Sequence, residues 1–288
     1  MAEDSATLDR SPHRLDRDLF KLIWNLTEKQ PWLRLKQSAL ISLIDECSDQ
    51  SEQALVLELL DKFRYLDGDS YSEAIRSLAH HISITLSLAP DRTAISAREV
   101  SAYSDSSQMV AYHLKAIGGL PPEWTTNKFV SGLKEIGEMD IDEVVLVDEF
   151  LGTGESMEKS VAYVRELGAA NGRNFRIHCA VIAGMDFGLS RLQETADSVY
   201  AEYSLKKGIS GEYPTELVSE KIAIMDRLES QLSQSSSRGK LSRHNLGYKK
   251  SEALYSRHEG NTPNNVFPIF WWEKTRKGEG RDKLLICR

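Results

Sequence analysis

Hydrophobic residues in the first third of the chain recur at the spacing of helices. Within Leu15–Leu26, leucines and isoleucines stand three and four residues apart, which places them on one face of an amphipathic helix. Leu40–Ile44 and Leu55–Leu60 continue in the same style, and Ser70 is placed to cap a fourth helix. The pattern therefore predicts a helical N-terminal subdomain over residues 1–90, without strands.

After residue 90 the pattern changes to alternating strands and helices. The run Val144–Val147 is continuously apolar, which is typical of a strand buried on both faces of a parallel sheet. Further strand-like and helix-like runs surround it: Thr93–Tyr103 with its loop, Ser106–Ile117, Ser156–Leu167, Arg176–Ala183, Leu189–Thr195 and Ser198–Leu205. Their order predicts an α/β fold with a doubly wound, mostly parallel sheet over residues 91–229. In such sheets, ligands bind at the carboxyl ends of the strands.

Two segments follow the α/β region. Residues 230–240 are rich in serine and glutamine and predict a flexible linker. Residues 241–288 predict a C-terminal extension that packs on the core. This extension is locally basic, and Pro263–Trp272 concentrates amide and aromatic side chains. We expect most of these aromatic residues to be core, and the alternative is that they stack on a nucleobase.

The composition is that of a globular protein and argues against a nucleic-acid or membrane binder that uses its whole surface, while a local basic patch stays compatible with it. Of 288 residues, 41% are hydrophobic and 27% are charged, and 36 basic against 43 acidic residues give a formal net charge of −7. No apolar run approaches the roughly 20 residues of a bilayer-spanning helix, and the N-terminus lacks the apolar core of a secretory signal. Three widely spaced cysteines form no scaffold pattern, so we expect a cytoplasmic protein that does not bind membranes.

The segment that carries candidate chemistry begins where the strand Val144–Val147 ends. Asp148 and Glu149 follow, and a loop of small and polar residues then leads into a helix: Gly152-Thr153-Gly154-Glu155-Ser156. A helix N-terminus presents unpaired N–H groups and a positive dipole end, and small residues let a phosphate approach them. The segment therefore predicts a site that holds a phosphate at one end and sugar hydroxyls, at the carboxylates, at the other. The alternative is a strand–turn–helix whose two acids are merely solvated.

This segment resembles the motif of type I phosphoribosyltransferases that binds phosphoribosyl pyrophosphate (PRPP). In that motif, four apolar residues, two acids and three variable residues precede Thr-Gly-x-Ser/Thr. The segment is neither a GxxxxGK[ST] P-loop nor a GxGxxG fingerprint. The resemblance implies that Asp148 and Glu149 contact the ribose hydroxyls, directly or through Mg²⁺ and its water, while Gly152–Ser156 wrap the 5-phosphate. It implies transfer of the phosphoribosyl group to a nucleobase, nucleotide or nucleic acid, with release of pyrophosphate.

Two further features fit the same resemblance. The run Ser104-Asp105-Ser106-Ser107 precedes a predicted helix, at the position where the family binds pyrophosphate, although these residues serve equally well as a simple helix N-cap. Between that helix and the motif, the family often has a mobile loop that covers the site and brings in a cation, and Lys128, or alternatively Lys134, is the candidate here. The alternative interpretation is that the lysine is an ordinary surface residue exposed to solvent.

The chain departs from the 6-oxopurine members of the family at Gly152. Those members carry an aspartate general base just before the Thr-Gly pair, whereas glycine cannot transfer a proton. A hypoxanthine- or guanine-type reaction is therefore disfavoured, while pyrimidine-type members lack that acid too. The hood that faces the acceptor varies within the family. Its candidate residues here lie in the C-terminal extension: His244, Tyr248, Asn264 and Asn265.

The chain resembles a bacterial group of phosphoribosyltransferase-like proteins in three features: its N-terminal helices, the sequence VDEFLGTG and the C-terminal extension. These are encoded in conflict and anti-phage gene clusters, some beside retron reverse transcriptases. The resemblance implies a toxic effector held inactive by partners, such as a reverse transcriptase with its noncoding RNA; a homo-oligomer is also compatible. Three other functions stay open: a toxin whose site hydrolyses or modifies nucleotides, a regulator that binds PRPP or a nucleotide without chemistry, and an N-terminal subdomain that docks a partner.

Overall fold

The N-terminal part of the chain is helical, as its spacing predicts, but it also contributes one short strand. The fold is given by a computed structural model that describes residues 17–98, 106–116, 119–124, 129–130 and 132–287. The first elements are α1 (Arg17–Lys29), α2 (Gln37–Asp45), α3 (Gln50–Asp61), β1 (Arg64–Leu66) and α4 (Gly68–His80). Asp67, not Ser70, caps α4, because its carboxylate accepts the backbone N–H of Ser70 at 2.8 Å. The helix therefore starts before Ser70 instead of after it.

Five parallel strands form the central sheet: β2 (Thr93–Ala97), β3 (Phe129–Val130), β4 (Glu143–Leu151), β5 (Arg176–Met185) and β6 (Ser198–Leu205). Their order is β3-β2-β4-β5-β6, and each neighbouring pair is parallel. The helices of this region are α5 (Ser106–Ala116), α6 (Glu155–Ala170), α7 (Asp186–Leu192) and α8 (Thr215–Ser230). The predicted α/β fold with a parallel sheet is confirmed.

Strand β4 is buried on both faces of the sheet. Val144 and Leu146 pack with residues of α6 such as Val161, whereas Val145 and Val147 pack with residues of α4 and α5. This double burial is why the strand is a continuous apolar run rather than an alternating one. The chain order reverses between β2 and β4, so the carboxyl ends of these two strands border the crevice in which doubly wound sheets bind ligands.

The segment that composition predicts to be a flexible linker forms a hairpin. Strands β7 (Ser235–Ser236) and β8 (Gly239–Lys240) pair antiparallel, and Gly239 supplies the positive φ of +102° in the turn. The N–H of Ser233 donates to the carbonyl of Lys274 at 3.0 Å, and Leu232 is buried. The linker interpretation of residues 230–240 is therefore wrong for this structure, because backbone pairing with the C-terminal extension fixes the polar segment.

The C-terminal extension shares a hydrophobic core with α1, α2, α3 and α8. Its strand β9 (Tyr255–Arg257) pairs in parallel with β1. Four aromatic side chains of the extension are at most 1% exposed, as expected for core residues: Phe267, Phe270, Trp271 and Trp272. The extension thus joins the first and last parts of the chain. Of the helices within the described ranges, none is both long and apolar enough to cross a membrane.

Replacing Trp272 by alanine should lower the free energy of unfolding by about 3–5 kcal/mol, because a cavity replaces a fully buried ring. Trp24 gives a matched control, since it is 58% exposed on α1, and Trp24→Ala should change stability by less than about 0.5 kcal/mol. Urea unfolding followed by circular dichroism measures both variants. Equal losses would show that the extension is not part of the shared core.

Candidate functional site

The two acids of the motif lie inside strand β4 rather than after it. The strand continues to Leu151, and Asp148 and Glu149 are only 4% and 2% exposed. Both side chains nevertheless line one cavity at the carboxyl end of the sheet. A buried carboxylate needs a compensating charge or hydrogen bonds in place of water. The structure supplies an arginine for each acid.

Asp148 pairs with Arg98, which directly follows strand β2. The Nε atom of Arg98 lies 2.6 Å from Oδ2 of Asp148. The Arg98 backbone is fixed as well: its N–H donates to the carbonyl of Val147 at 3.1 Å, and its carbonyl accepts the hydroxyl of Ser160 at 2.5 Å. This network anchors the carboxylate in the crevice between β2 and β4.

Glu149 pairs with Arg257, which comes from β9 in the C-terminal extension. Nε of Arg257 donates to Oε2 of Glu149 at 2.8 Å, and the two side chains are 9% and 2% exposed. The guanidinium also lies over the ring of Tyr71, 5.0 Å from its centroid. Burial lowers the pKa of Arg257, but attraction to Glu149 outweighs it and raises the pKa above its ordinary value. Arg257 therefore stays charged beside the side chain of Glu149.

The turn between β4 and α6 has the geometry of an anion-binding helix start. Gly154 has a φ of +79°, and a Cβ added there would lie 2.8 Å from the carbonyl oxygen of Gly188. Only glycine fits both constraints without strain. Thr153 is half-buried, and Ser156 in the first turn of α6 is exposed. The open side of the predicted 5-phosphate loop is therefore the side of Ser156.

The C-terminal extension covers the other side of this turn. A Cβ added to Gly152 would lie 2.4 Å from Nδ2 of Asn265, and this amide donates to the hydroxyl of Ser251 at 2.7 Å. Lys249 forms a second contact, 2.5 Å from Oε1 of Glu155. The hydrogen bond from Lys249 lowers the pKa of Glu155. A neutral amide thus fills the place where 6-oxopurine enzymes carry a general base.

The cavity beside the acids has a volume of about 1270 Å³. Three of the four candidate hood residues line it, namely His244, Asn264 and Asn265, whereas Tyr248 does not. The ring of His244 meets that of Trp271 edge-on at 5.5 Å. Burial lowers the pKa of His244, Nε2 lies 3.4 Å from the carbonyl oxygen of Arg238, and Nδ1 is buried.

Of the remaining predicted site residues, those that the structure describes do not line this cavity. Ser104, Asp105 and Lys128 lie outside the described residues. Ser106 is the first residue of helix α5, and Ser107 is fully buried in its first turn. The residues Gly152–Ser156 do not line the cavity either, and they border it through Asn265.

Sequence reasoning missed the two arginines that hold the acids. Arg98 stands directly after β2, at the carboxyl end of the strand next to β4. A basic residue directly after a predicted strand can be found from the sequence alone, so Arg98 could have been proposed as a partner of the acids. Arg257 has no comparable signal, because β9 and its partner β1 have three residues each and pair across most of the chain.

Comparison with known proteins identifies the family. The PRTase-CE family model matches residues 45–280, which include both acids, the turn and most of the cavity wall. The chain belongs to the PRTase-CE family. It is a phosphoribosyltransferase-like protein, and the matched residues include β1, β9 and both arginines that pair with the acids. No curated protein matches the chain.

Three solved structures resemble part of the chain. The orotate phosphoribosyltransferase of Aeropyrum pernix is 17% identical, with 54% of this chain and 76% of that chain aligned and a TM-score of 0.33. The xanthine-guanine-hypoxanthine phosphoribosyltransferase of Helicobacter pylori is 8% identical over 50% and 90%, also at 0.33. A hypothetical protein of Neisseria gonorrhoeae with bound ppGpp is 13% identical over 50% and 85%, at 0.30. Because these TM-scores are low, the assignment of the chain to a family rests on the family model alone.

The two acids fit a magnesium ion carried by a ligand rather than a cage made by the protein. Within the described part of the chain, no three His, Cys, Asp or Glu side chains group as metal ligands. Mg²⁺ commonly keeps several waters and is held by one or two carboxylates together with substrate phosphates. Asp148 and Glu149 provide two carboxylates on one cavity wall.

Arg257→Met should lower the free energy of unfolding by about 3–5 kcal/mol, because it leaves Glu149 buried without its counterion. The double variant Glu149→Gln, Arg257→Met should lose less than Arg257→Met alone, since neither charge remains to be compensated. Urea unfolding of the two single variants and the double variant measures this coupling. Strictly additive losses would contradict a direct ion pair.

Gly152→Ala should destabilise the protein by about 1–3 kcal/mol, because the new methyl group overlaps the side chain of Asn265. Asn265→Ala in the same chain should recover part of that loss. Gly68→Ala is the control, since a Cβ there meets nothing within 4 Å. If Gly152→Ala proved as neutral as the control, the extension would not cover the turn in solution.

Proposed function

We propose that this PRTase-CE protein binds PRPP at the carboxyl end of β4 and transfers the phosphoribosyl group to an acceptor. The observation that carries the proposal is the arrangement along one segment, in which two carboxylates on a cavity wall, Asp148 and Glu149, stand a few residues before the helix start at Glu155. Ribose 5-phosphate has a matching polarity, with hydroxyls at one end and a phosphate at the other. Membership of the family supports the same ligand.

The transfer replaces the bond between C1 of the ribose and pyrophosphate by a bond between C1 and the acceptor. Pyrophosphate leaves with the bonding electron pair, positive charge develops at C1 and the ring oxygen, and the acceptor loses its proton to water. Asp148 and Glu149 would stabilise that charge through the ribose hydroxyls, and their burial strengthens the effect. Arg98 and Arg257 fix both carboxylates before the ligand arrives.

The leaving pyrophosphate needs its own positive partners. When bound, Mg²⁺ supplies charge that stabilises this leaving group. Ser104–Ser107 and Lys128 remain the residues that we expect at the pyrophosphate, on the resemblance of their positions to the family. The N–H groups at the start of α5 suit an anion in the same way as those of α6.

The chemistry of the site disfavours an oxopurine acceptor that needs a carboxylate to remove its proton. Gly152 has no side chain, and the amide of Asn265 that covers it cannot accept a proton at neutral pH. His244 is the one titratable hood residue that lines the same cavity, so we assign any proton transfer by the hood to it. This favours acceptors whose nucleophile is reactive without a neighbouring carboxylate.

Two observations favour a second function, in which the protein binds PRPP or a nucleotide without turnover. Both acids are already paired with arginines, and an amide stands where 6-oxopurine phosphoribosyltransferases carry a general base. Such a site can recognise a ligand and report it to a partner. Its signature is saturable binding of PRPP without release of pyrophosphate across a broad panel of acceptors.

We also propose that the site acts as an anti-phage effector restrained by a partner, such as a retron reverse transcriptase with its noncoding RNA. The support is the resemblance of VDEFLGTG, the N-terminal helices and the C-terminal extension to effectors of conflict gene clusters. If the effector acts by phosphoribosyl transfer, substitution of Asp148 or Glu149 should also abolish its toxicity. The variants described next are therefore also the controls for growth arrest in cells that lack the partner.

Asp148→Asn and Glu149→Gln should each lower PRPP-dependent release of pyrophosphate by about 100-fold or more, because they remove charge that stabilises the transition state. The full chain is incubated with PRPP, Mg²⁺ and pooled bases, nucleotides and DNA, and pyrophosphate and product masses are measured. Glu166→Gln, an exposed acid on α6, is the matched control and should keep full activity. Full activity in the variant that lacks both acids would refute the assignment.

A further inference from the structure

The cavity beside the acids extends beyond the space that a ribose at Asp148 would fill. Its volume of about 1270 Å³ exceeds the roughly 300–1,000 Å³ typical of a site for one small ligand. One wall is the sheet edge with the acids. The rest of the lining includes Trp32, Lys36 and Tyr65 from the N-terminal part of the chain and Arg238 from the hairpin, and we call these four residues the second wall. The cavity therefore has room, and lining residues other than the acids, for a second ligand.

This second wall contains an aromatic platform. The rings of Trp32 and Tyr65 stack with centroids 4.5 Å apart and planes 9° apart. Nε1 of Trp32 donates to Oε1 of Gln30 at 2.9 Å, which fixes the indole. Tyr65 is half-buried, and it borders the cavity while Trp32 supports one of its faces. Fixed aromatic rings of this kind stack on nucleobases.

The same wall carries two cations that are not engaged by acids. Lys36 and Arg238 line the cavity, and neither forms an ion pair with any residue in the described ranges. Arg98 and Arg257 at the sheet edge are both occupied by carboxylates. Two available cations and an aromatic platform in the lining of one cavity match a ligand that joins a base to a phosphate.

We infer that this second wall binds the acceptor, and that the acceptor is a nucleoside monophosphate rather than a free base. The inference rests on the proposed function for the transfer itself. A nitrogen or oxygen of the nucleotide forms the bond to C1 as the bond from C1 to pyrophosphate breaks, and the nucleotide's proton goes to water. Asn264 and His244 line the same cavity and offer hydrogen bonds to a base edge. The formal net charge of −7 favours a mononucleotide over a polynucleotide.

Calorimetry on the full chain tests the inference with four 5′-monophosphates, AMP, GMP, CMP and UMP, and with their nucleosides. At least one monophosphate should bind about tenfold or more tightly than its nucleoside, because two cations contact the phosphate. Lys36→Ala, Arg238→Ala together should reduce its affinity to that of the nucleoside. The affinity for PRPP, titrated separately, should change less than twofold.

Lys240→Ala is the matched control, since it removes one positive charge from the same hairpin as Arg238 but from outside the cavity wall. Its effect should be less than twofold for every ligand. Equal binding of nucleotide and nucleoside, no effect of the double variant, or binding of 5′-phosphorylated oligonucleotides alone would each overturn the inference. Failure of PRPP to bind while a monophosphate binds would instead defeat the proposed function and leave the nucleotide site in place.

Discussion

The site depends on the compensation of two buried negative charges. A carboxylate in the interior costs several kcal/mol unless a cation and hydrogen bonds replace its water. Asp148 obtains Arg98 from the end of the neighbouring strand, and Glu149 obtains Arg257 from the C-terminal extension. The strand that carries Arg257 is itself paired with β1 of the N-terminal part. The contact that stabilises the site therefore also fixes the first and last parts of the chain against the sheet.

The sheet was predictable from sequence where burial leaves a local pattern. The continuous apolar run of β4 marks a strand buried on both faces, and β6 has the bounds Ser198–Leu205 that its composition indicates. The pattern stopped β4 at Val147, because periodicity cannot show that the acids after it have arginine partners. Strand β1 and the hairpin of residues 230–240 were not predicted from the sequence for a related reason. Their hydrogen bonds go to distant segments, and polar composition alone says nothing about a distant partner.

In the candidate site, too, the features that depend on neighbouring residues were predictable from the sequence, and those that depend on distant segments were not. The acids and the helix start at Glu155 are adjacent in sequence, so their spacing alone predicts a site with two functional ends. Asn265 stands over Gly152, and the requirement for a small residue at 152 is visible only when both segments are in place. Sequence reasoning recognised the missing proton acceptor at Gly152 but had no means to find the amide that fills its space. Three of the four hood residues reach the cavity because the aromatic core places the extension there.

The pairing of each acid with an arginine also resolves an electrostatic difficulty. PRPP is strongly anionic, and two uncompensated carboxylates on the wall that receives its ribose would repel it, most strongly where burial lowers the dielectric constant. With Arg98 and Arg257 in place, that wall is close to neutral and still presents oxygens to the hydroxyls. An anionic acceptor needs cations of its own, because Arg98 and Arg257 are already paired with the acids. Lys36 and Arg238 line the same cavity, so in the proposed arrangement they receive the phosphate of the acceptor while its nucleophile meets C1 of the ribose.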